Sequence, residues 1–275
     1  MNKRILIISC LVLLVPIRFT TASEKPPGQQ KQDLTITILY DNYVFTEGLR
    51  TDWGFSCILK GTEKTILFDT GTKGDLLLEN FEKLKINPED VEVVVISHNH
   101  RDHTGGLLAF LGKNSSVSVY LPPSCSDRFV QQVKATGAKV TTTSAPVEIC
   151  QHVHLTGPMG ERIIEQSMVV DTAKGSVVIT GCAHPGIVEI VRKSKAIRPK
   201  DVYLVFGGFH LLRKSDAEVQ QIIKEFRKLG VKKAGPSHCT GDRAIQMFKQ
   251  AYGADFVRMG VGRTLKIEAL PKSSL

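Results

Sequence analysis

The sequence predicts an α+β architecture in which two β-sheets pack face to face with helices on their outer sides, and three observations lead there. Short alternating or continuously apolar runs read as strands, several of them joined by tight turns. Amphipathic stretches with legible start and stop signals read as helices. Both kinds of segment recur in two comparable halves, and a sheet with one apolar face buries it most simply against another layer.

Taken in order, Leu34, Ile36 and Ile38 alternate with Thr35 and Thr37, the period of a strand over 34–39. Residues 53–59 and 64–69 read as a hairpin turning at 60–63, and Leu76, Leu77, Leu78, Phe81 and Leu84 give a helical period over 74–85. A buried strand over 91–96 runs straight into a histidine-rich stretch, followed by a short helix over 107–111 and a strand over 117–121. The second half opens with a helix over 126–136, a hairpin from 164 to 180 turning at Lys174-Gly175, and a strand over 202–206. Ser215 and Glu218 are spaced as a capping box for a helix that stops before Gly230. A last helix over 242–252 stops at Gly253, and a strand over 257–267 closes the fold.

The first residues carry a different message. Basic Lys3 and Arg4 precede an apolar run over 5–15, and small residues surround Ala22, the order of a secretory signal. The run is shorter than the roughly 20 residues of a membrane span. The expected organisation is therefore a signal peptide over 1–22, a disordered Pro/Gly/Lys/Gln linker over 23–32 and one folded domain over 33–275. An exported, periplasmic or extracellular protein follows, with an uncleaved signal acting as a membrane anchor as the alternative.

The formal charge is +9, from which loss of Lys3, Arg4 and Arg18 would take three. The remaining basic residues are scattered with little aromatic interleaving, so a solvated surface is expected and no nucleic-acid groove. Once the signal segment with Cys10 is removed, Cys57, Cys125, Cys150, Cys182 and Cys239 remain, an odd number at irregular spacing, which is no disulfide framework. The length suits a well-filled core, and the oligomeric state is not readable.

The chemistry concentrates in His98-Asn99-His100-Arg101-Asp102-His103, which places three of the eight histidines and one aspartate just past an apolar strand. Imidazole and carboxylate together suit zinc or a similar divalent ion. In an extended turn His98 and His100 would point to one side, with Asp102 and His103 addressing a second position. His152 and His154 lie in an alternating stretch and read as ordinary strand residues, and Asp171 as structural.

His98 to His103, continued by Thr104-Gly105-Gly106, resembles the HxHxDH motif of the metallo-β-lactamase superfamily. Leu67-Phe68-Asp69-Thr70-Gly71 resembles the preceding motif, whose aspartate orients the metal loop from behind the ligands. Gly181-Cys182-Ala183-His184 resembles the third motif and Ser237-His238-Cys239 the last. The resemblance implies a four-layer αβ/βα sandwich with metals at one edge between the sheets. It implies His98, His100 and His184 as ligands of one ion, and Asp102, His103 and His238 as ligands of a second.

The pattern breaks at the fourth motif. Where many members carry a bridging aspartate, this chain reads Gly207-Gly208-Phe209-His210. His210 stands in its place, as a substrate contact, an acid or a ligand, with Cys182 as a second possible ligand. The expected cofactor is one or two divalent ions, zinc first, with manganese or iron as alternatives.

Hydrolysis of an ester, phosphodiester or related bond in a small-molecule substrate is the leading expectation, by water activated on the metal, with Asp102 and His210 as the catalytic groups. Two alternatives stand beside it. One is a transferase similar to the branch that includes the archaeal dihydropterin ribofuranosyl-aminobenzene phosphate synthase; the other is a non-catalytic metal-binding module.

Overall fold

The computed structural model describes residues 33–270. The signal segment over 1–22 and the linker over 23–32 lie outside the described residues. The first half comprises β1 (Asp33–Tyr40), β2 (Ser56–Lys60), β3 (Ile66–Phe68), α1 (Gly74–Lys83), β4 (Val93–Val95), α2 (Arg101–Thr104), α3 (Leu107–Leu111), β5 (Ser118–Leu121), α4 (Asp127–Ala135) and β6 (Lys139–Thr142). The second comprises β7 (Val147–Cys150), β8 (Val153–Leu155), β9 (Met168–Thr172), β10 (Gly175–Thr180), α5 (Ile187–Ile197), β11 (Val202–Gly208), α6 (Asp216–Lys228), β12 (Lys233–Ser237), α7 (Asp242–Tyr252) and β13 (Thr264–Glu268).

These strands form two sheets, in the order β13-β1-β2-β3-β4-β5-β6 and β12-β11-β10-β9-β8-β7. Alternation in β1 puts Leu34, Ile36 and Ile38 on one face, where they share a buried cluster with Val170, Val177, Ile179 and Phe206 of the other sheet. That cluster is the inner layer of a sandwich. On the outer side of the first sheet, Leu67, Val94 and Val119 pack with Leu77 and Phe81 of α1 and Phe110 of α3. On the outer side of the second, Val178 and Val205 pack with Ile190 of α5, Phe226 of α6 and Phe248 of α7. The architecture is thus an αβ/βα sandwich of four layers.

Local signals explain most boundaries. The capping box forms at α6, where Ser215 Oγ accepts from the Glu218 amide and Glu218 Oε2 accepts from the Ser215 amide at 2.8 Å. Such a cap satisfies two of the amides a helix start leaves without partners. Helix α7 ends at Gly253, which takes φ +51.

Three expectations need correction. The histidine stretch is extended only as far as His100; Asp102 and His103 ride on the short helix α2. The last strand begins at Thr264, because residues near Val261 instead make bonds to the loop after β1. His152 sits at φ +69 in the turn between β7 and β8, outside any strand. His154 does lie in a strand, β8, while helix α5 and strands β6, β7 and β12 come from segments the sequence reading left without assignment. Among the described residues no helix is long and apolar enough to cross a membrane.

Phe206 lies between the sheets with its ring centroid 6.5 Å from that of Phe55. Phe206→Ala should therefore lower the free energy of unfolding by about 3–5 kcal/mol, the range for deleting a buried aromatic. Equilibrium urea titration checks it, and a loss below about 1 kcal/mol would contradict a tightly packed interlayer.

Candidate metal centre

The site is assembled by loops that leave neighbouring parallel strands. β3 and β4 run parallel in the first sheet, and β10, β11 and β12 run parallel in the second. Within each sheet the C-terminal ends of these strands therefore face one way. Asp69 follows β3 and His98 to His103 follow β4. Cys182 and His184 follow β10, His210 follows β11, and His238 and Cys239 follow β12.

Three groups of ligand-type atoms result, each with its atoms within 4.8 Å of one another: His98, His100 and His184; Asp102, His103, Cys182 and His238; and Cys182, His210 and Cys239. Residues separated by over a hundred positions in sequence meet here. Ring centroids of His98 lie 4.6 Å from His100 and 4.8 Å from His184, and those of His103 and His238 are 5.1 Å apart.

Asp69 organises the first-sheet half. Fully buried and held at φ +55, it accepts the Ser97 amide on Oδ1 at 2.7 Å, and on Oδ2 both the Ser97 hydroxyl and His103 Nδ1–H, each at 2.7 Å. Because Ser97 gives its only hydroxyl proton to Asp69, its oxygen accepts from His98 Nδ1–H, 2.9 Å away. One carboxylate thereby orients two histidines through their Nδ1 atoms and turns both Nε2 atoms toward the centre. An added Cβ at Gly181 would collide with Ser97 Oγ and come within 2.9 Å of Asp69 Oδ2, so the strand from the second sheet approaches this network only as glycine.

The second-sheet half rests on a residue the sequence reading did not single out. Glu165, 1% exposed, accepts the Thr180 hydroxyl and the amides of Cys182 and Ala183 on Oε1, and the His184 amide on Oε2, at 2.9–3.0 Å. It folds the loop that carries Cys182 and His184. Its only sequence signal is a charge entering an apolar strand, in Ile163-Ile164-Glu165.

Asn42 was missed as well: its Oδ1 accepts from His238 Nδ1–H at 3.0 Å and its amide donates to the His238 carbonyl at 3.0 Å. Trp53, the sole tryptophan, donates from Nε1 to Asp102 Oδ2 at 2.9 Å and lies 4.9 Å from the His238 ring.

Nε2 of His98, His184 and His238 is buried without a hydrogen-bond partner. Burial, then the neighbouring imidazoles, pushes His98 well below its ordinary range and His184 down to about 4. Burial also disfavours charge on His103, but the Asp69 carboxylate overcomes it and lifts the group to about 9. Burial raises the Asp102 carboxyl, yet His238 and His103 outweigh it and hold the group below the usual carboxylate range. Burial first, and then the neighbouring Cys239 with the carboxylates of Glu165 and Asp102, lift Cys182 well above the ordinary thiol range. For Cys239 the same burial effect is overcome by hydrogen bonds with Cys182 and His210, which draw it well below.

His100, His184 and His210 line an open cleft of about 620 Å³, together with Trp53, Cys239 and Arg213. All nine residues singled out from the sequence for this site stand in it or, for Asp69, directly behind it. His154, in β8, and Asp171, bound to Arg198 and Ser176, do not belong to these groups.

Residues 54–124 match the Metallo-beta-lactamase superfamily. A solved metal-dependent hydrolase of the beta-lactamase superfamily is 32% identical to this chain, covers 86% of it with 99% of its own length, and superposes with a TM-score of 0.74. The 7,8-dihydropterin-6-methyl-4-(beta-D-ribofuranosyl)-aminobenzene-5'-phosphate synthase of Methanocaldococcus jannaschii is 29% identical over 75% of this chain and 85% of its own. The metallo-beta-lactamase fold protein YhfI of Bacillus subtilis, 14% identical, shares the fold at a TM-score of 0.63 over 86% of this chain and all of its own.

Glu165→Gln puts an amide NH₂ against at least one backbone N–H in a site with no water access to compensate. The variant should lose about 1–3 kcal/mol of stability, the cost of leaving buried partners unsatisfied. Thermal and urea unfolding of the variant beside the parent measure this, and unchanged stability would show the loop does not depend on the carboxylate.

Proposed function

The chain belongs to the metallo-β-lactamase superfamily, and from that premise we propose that it is an exported, metal-dependent hydrolase acting on an ester, phosphodiester or related bond of a small molecule. The observation that carries the reading is the set of buried imidazole nitrogens without partners on His98, His184 and His238. Leaving such atoms unsatisfied costs about 1–3 kcal/mol each. A divalent cation removes that cost, and imidazole with carboxylate is a donor set suited to zinc before manganese or iron.

His98, His100 and His184 would hold one ion, and Asp102, His103 and His238 a second. A divalent ion so held acts as a Lewis acid and activates water for attack. The chain's own groups supply the rest. Asp69 fixes the His103 tautomer directly and that of His98 through Ser97; Asn42 does the same for His238. Asp102 keeps its charge beside His103, His238 and Trp53 Nε1, and its carboxylate is the acceptor placed to orient the attacking water. Trp53 and His210 flank the cleft through which a substrate reaches these groups. Export rests on the pattern of residues 1–22, and N-terminal sequencing of the secreted protein should begin near Ser23.

A second reading has one observation in its favour: the 29% identity to the archaeal synthase, which extends over 85% of that protein. A group-transfer reaction on a dihydropterin substrate would use the same ligands with a different acceptor.

Protein purified without added metal should contain one to two divalent ions by elemental analysis, the range set by the two ligand sets. It should turn over members of a panel of esters, thioesters and phosphodiesters; formation of the dihydropterin product named above, with no hydrolysis, would favour the second reading. His98→Ala and His184→Ala should each lose metal, and metal content equal to the parent would overturn the centre. Asp69→Asn should weaken metal retention about tenfold or more, because a ligand histidine loses its orienting acceptor. Competition with a chelator measures it, and unchanged retention would confine Asp69 to a structural role.

A further inference from the structure

We propose that Cys182, Cys239 and His210 form an additional, sulfur-bearing set of metal ligands at the cleft side of the centre. The proposal rests on the metal-centre reading above and extends it to three residues that reading leaves unused or only within reach.

The two thiols and the imidazole nitrogen lie within 4.8 Å of one another. Both cysteines are buried, and Cys182 Sγ is 3.2 Å from His103 Nε2, so the sulfur edge is continuous with the nitrogen ligands. The backbone is arranged to admit this edge. A Cβ added at Gly208 would lie 2.6 Å from Cys239 Sγ and 3.1 Å from His238 Cδ2, so only glycine at the end of β11 leaves room for that thiol beside the histidines. Two positions on, His210 takes φ +54, a conformation that costs a non-glycine residue about 1–3 kcal/mol. There its ring stands 4.4 Å from that of His184, on the wall that also contains Cys239.

Where the family resemblance leads one to expect a bridging carboxylate, this chain has made space for sulfur. Among the described residues the other cysteines differ in kind: Cys57 and Cys150 sit in the interlayer core and Cys125 in the outer core of the first sheet. Two thiolates and one imidazole are a donor set for zinc that leaves a fourth position for water or substrate. On binding, each thiol releases its proton to solvent and donates a sulfur lone pair to the cation; nothing is oxidised or reduced. Cys182 also belongs to the set with Asp102, His103 and His238. The sulfur ligands thus extend that set toward the cleft, and His210 is given a ligand's role in place of an acid's.

The test replaces the native metal of the full protein with cobalt(II) and records its absorption. The parent should show a thiolate-to-cobalt charge-transfer band in the near ultraviolet. Cys239→Ser should reduce the band by about half, and the double variant Cys182→Ser, Cys239→Ser should remove it, as expected if both sulfurs are ligands. His210→Ala, at an exposed position, keeps both thiols and should shift the band, which guards against a serine variant that fails to fold. Bound cobalt without a charge-transfer band, or a band unchanged in Cys239→Ser, overturns the proposal while leaving the histidine centre standing. A disulfide between Cys182 and Cys239, seen as two missing thiols in freshly purified protein, also overturns it. Failure to bind any cobalt sinks the histidine centre together with this extension.

Discussion

The buried carboxylate of Asp69 sits at the end of β3 in a left-handed conformation and holds the ligand loop from behind. The hold on Ser97, on His98 through it, and on His103 passes through its two oxygens. Oδ1 fixes the backbone at Ser97, and Oδ2 takes the Ser97 hydroxyl and the His103 ring. A buried carboxylate with three donors has its desolvation offset by charge-assisted hydrogen bonds. The same bonds convert two flexible imidazoles into oriented ones, since a histidine whose Nδ1–H is engaged can only present Nε2. Helix α2 completes the arrangement by turning Asp102 and His103 back over the loop, with the His103 carbonyl caught by the Thr70 amide and hydroxyl at 2.8 Å.

Glu165 plays the corresponding part in the second sheet, although the two carboxylates work differently. Asp69 acts on side chains, whereas Glu165 gathers backbone amides and so shapes a loop. The cost of these loops is visible in the backbone. Asp69, Ala183, His210 and His238 all have positive φ, between 47° and 58°, and all four stand at the centre. Strain of this kind persists where surrounding structure over-determines it. Here the surrounding structure is the pair of buried carboxylates and Asn42, each fixed by the sheets beneath.

The strands and helices with strong periodicity were legible in the sequence: β1, the β2–β3 hairpin, the β9–β10 hairpin, and α6 and α7 with their caps. Helix α5 carries Ile187, Ile190 and Val191 at helical spacing but begins at Gly186 with no side-chain cap, so its start signal is absent. Strand β12 reads Lys233-Ala234-Gly235-Pro236-Ser237, a composition of turns, and is a strand because it pairs in parallel with β11. The ligand-type residues were legible because histidines are few and clustered. Glu165, Asn42 and Trp53 were not, since a lone carboxylate, amide or indole has no local pattern; what defines each is a partner far away in sequence, 196 positions in the case of Asn42 and His238. Cys239 is a small buried residue with no pattern of its own beyond its place after His238. Only the folded chain shows that Cys182 and His210 stand beside it.

Six of the eight histidines are packed into one edge of the sandwich, and their mutual proximity limits what the edge can hold. A proton on His98 or His184 is opposed by burial and by the rings around it, so these imidazoles remain neutral through the range where a solvated histidine would titrate. Neutral imidazole is the ligand form, and its unpaired nitrogen is the costly atom that a folded chain would otherwise avoid. Positive charge is nevertheless welcome at the edge, because Asp102 and Asp69 are both there and the field of each carboxylate acts on His103. An edge that disfavours protons on His98 and His184 while supplying carboxylate charge nearby favours a cation that binds through their lone pairs. The same atoms lower the stability of the chain when they have no ligand and raise it when they do, so binding at this edge and folding of the two loops that carry it are linked quantities.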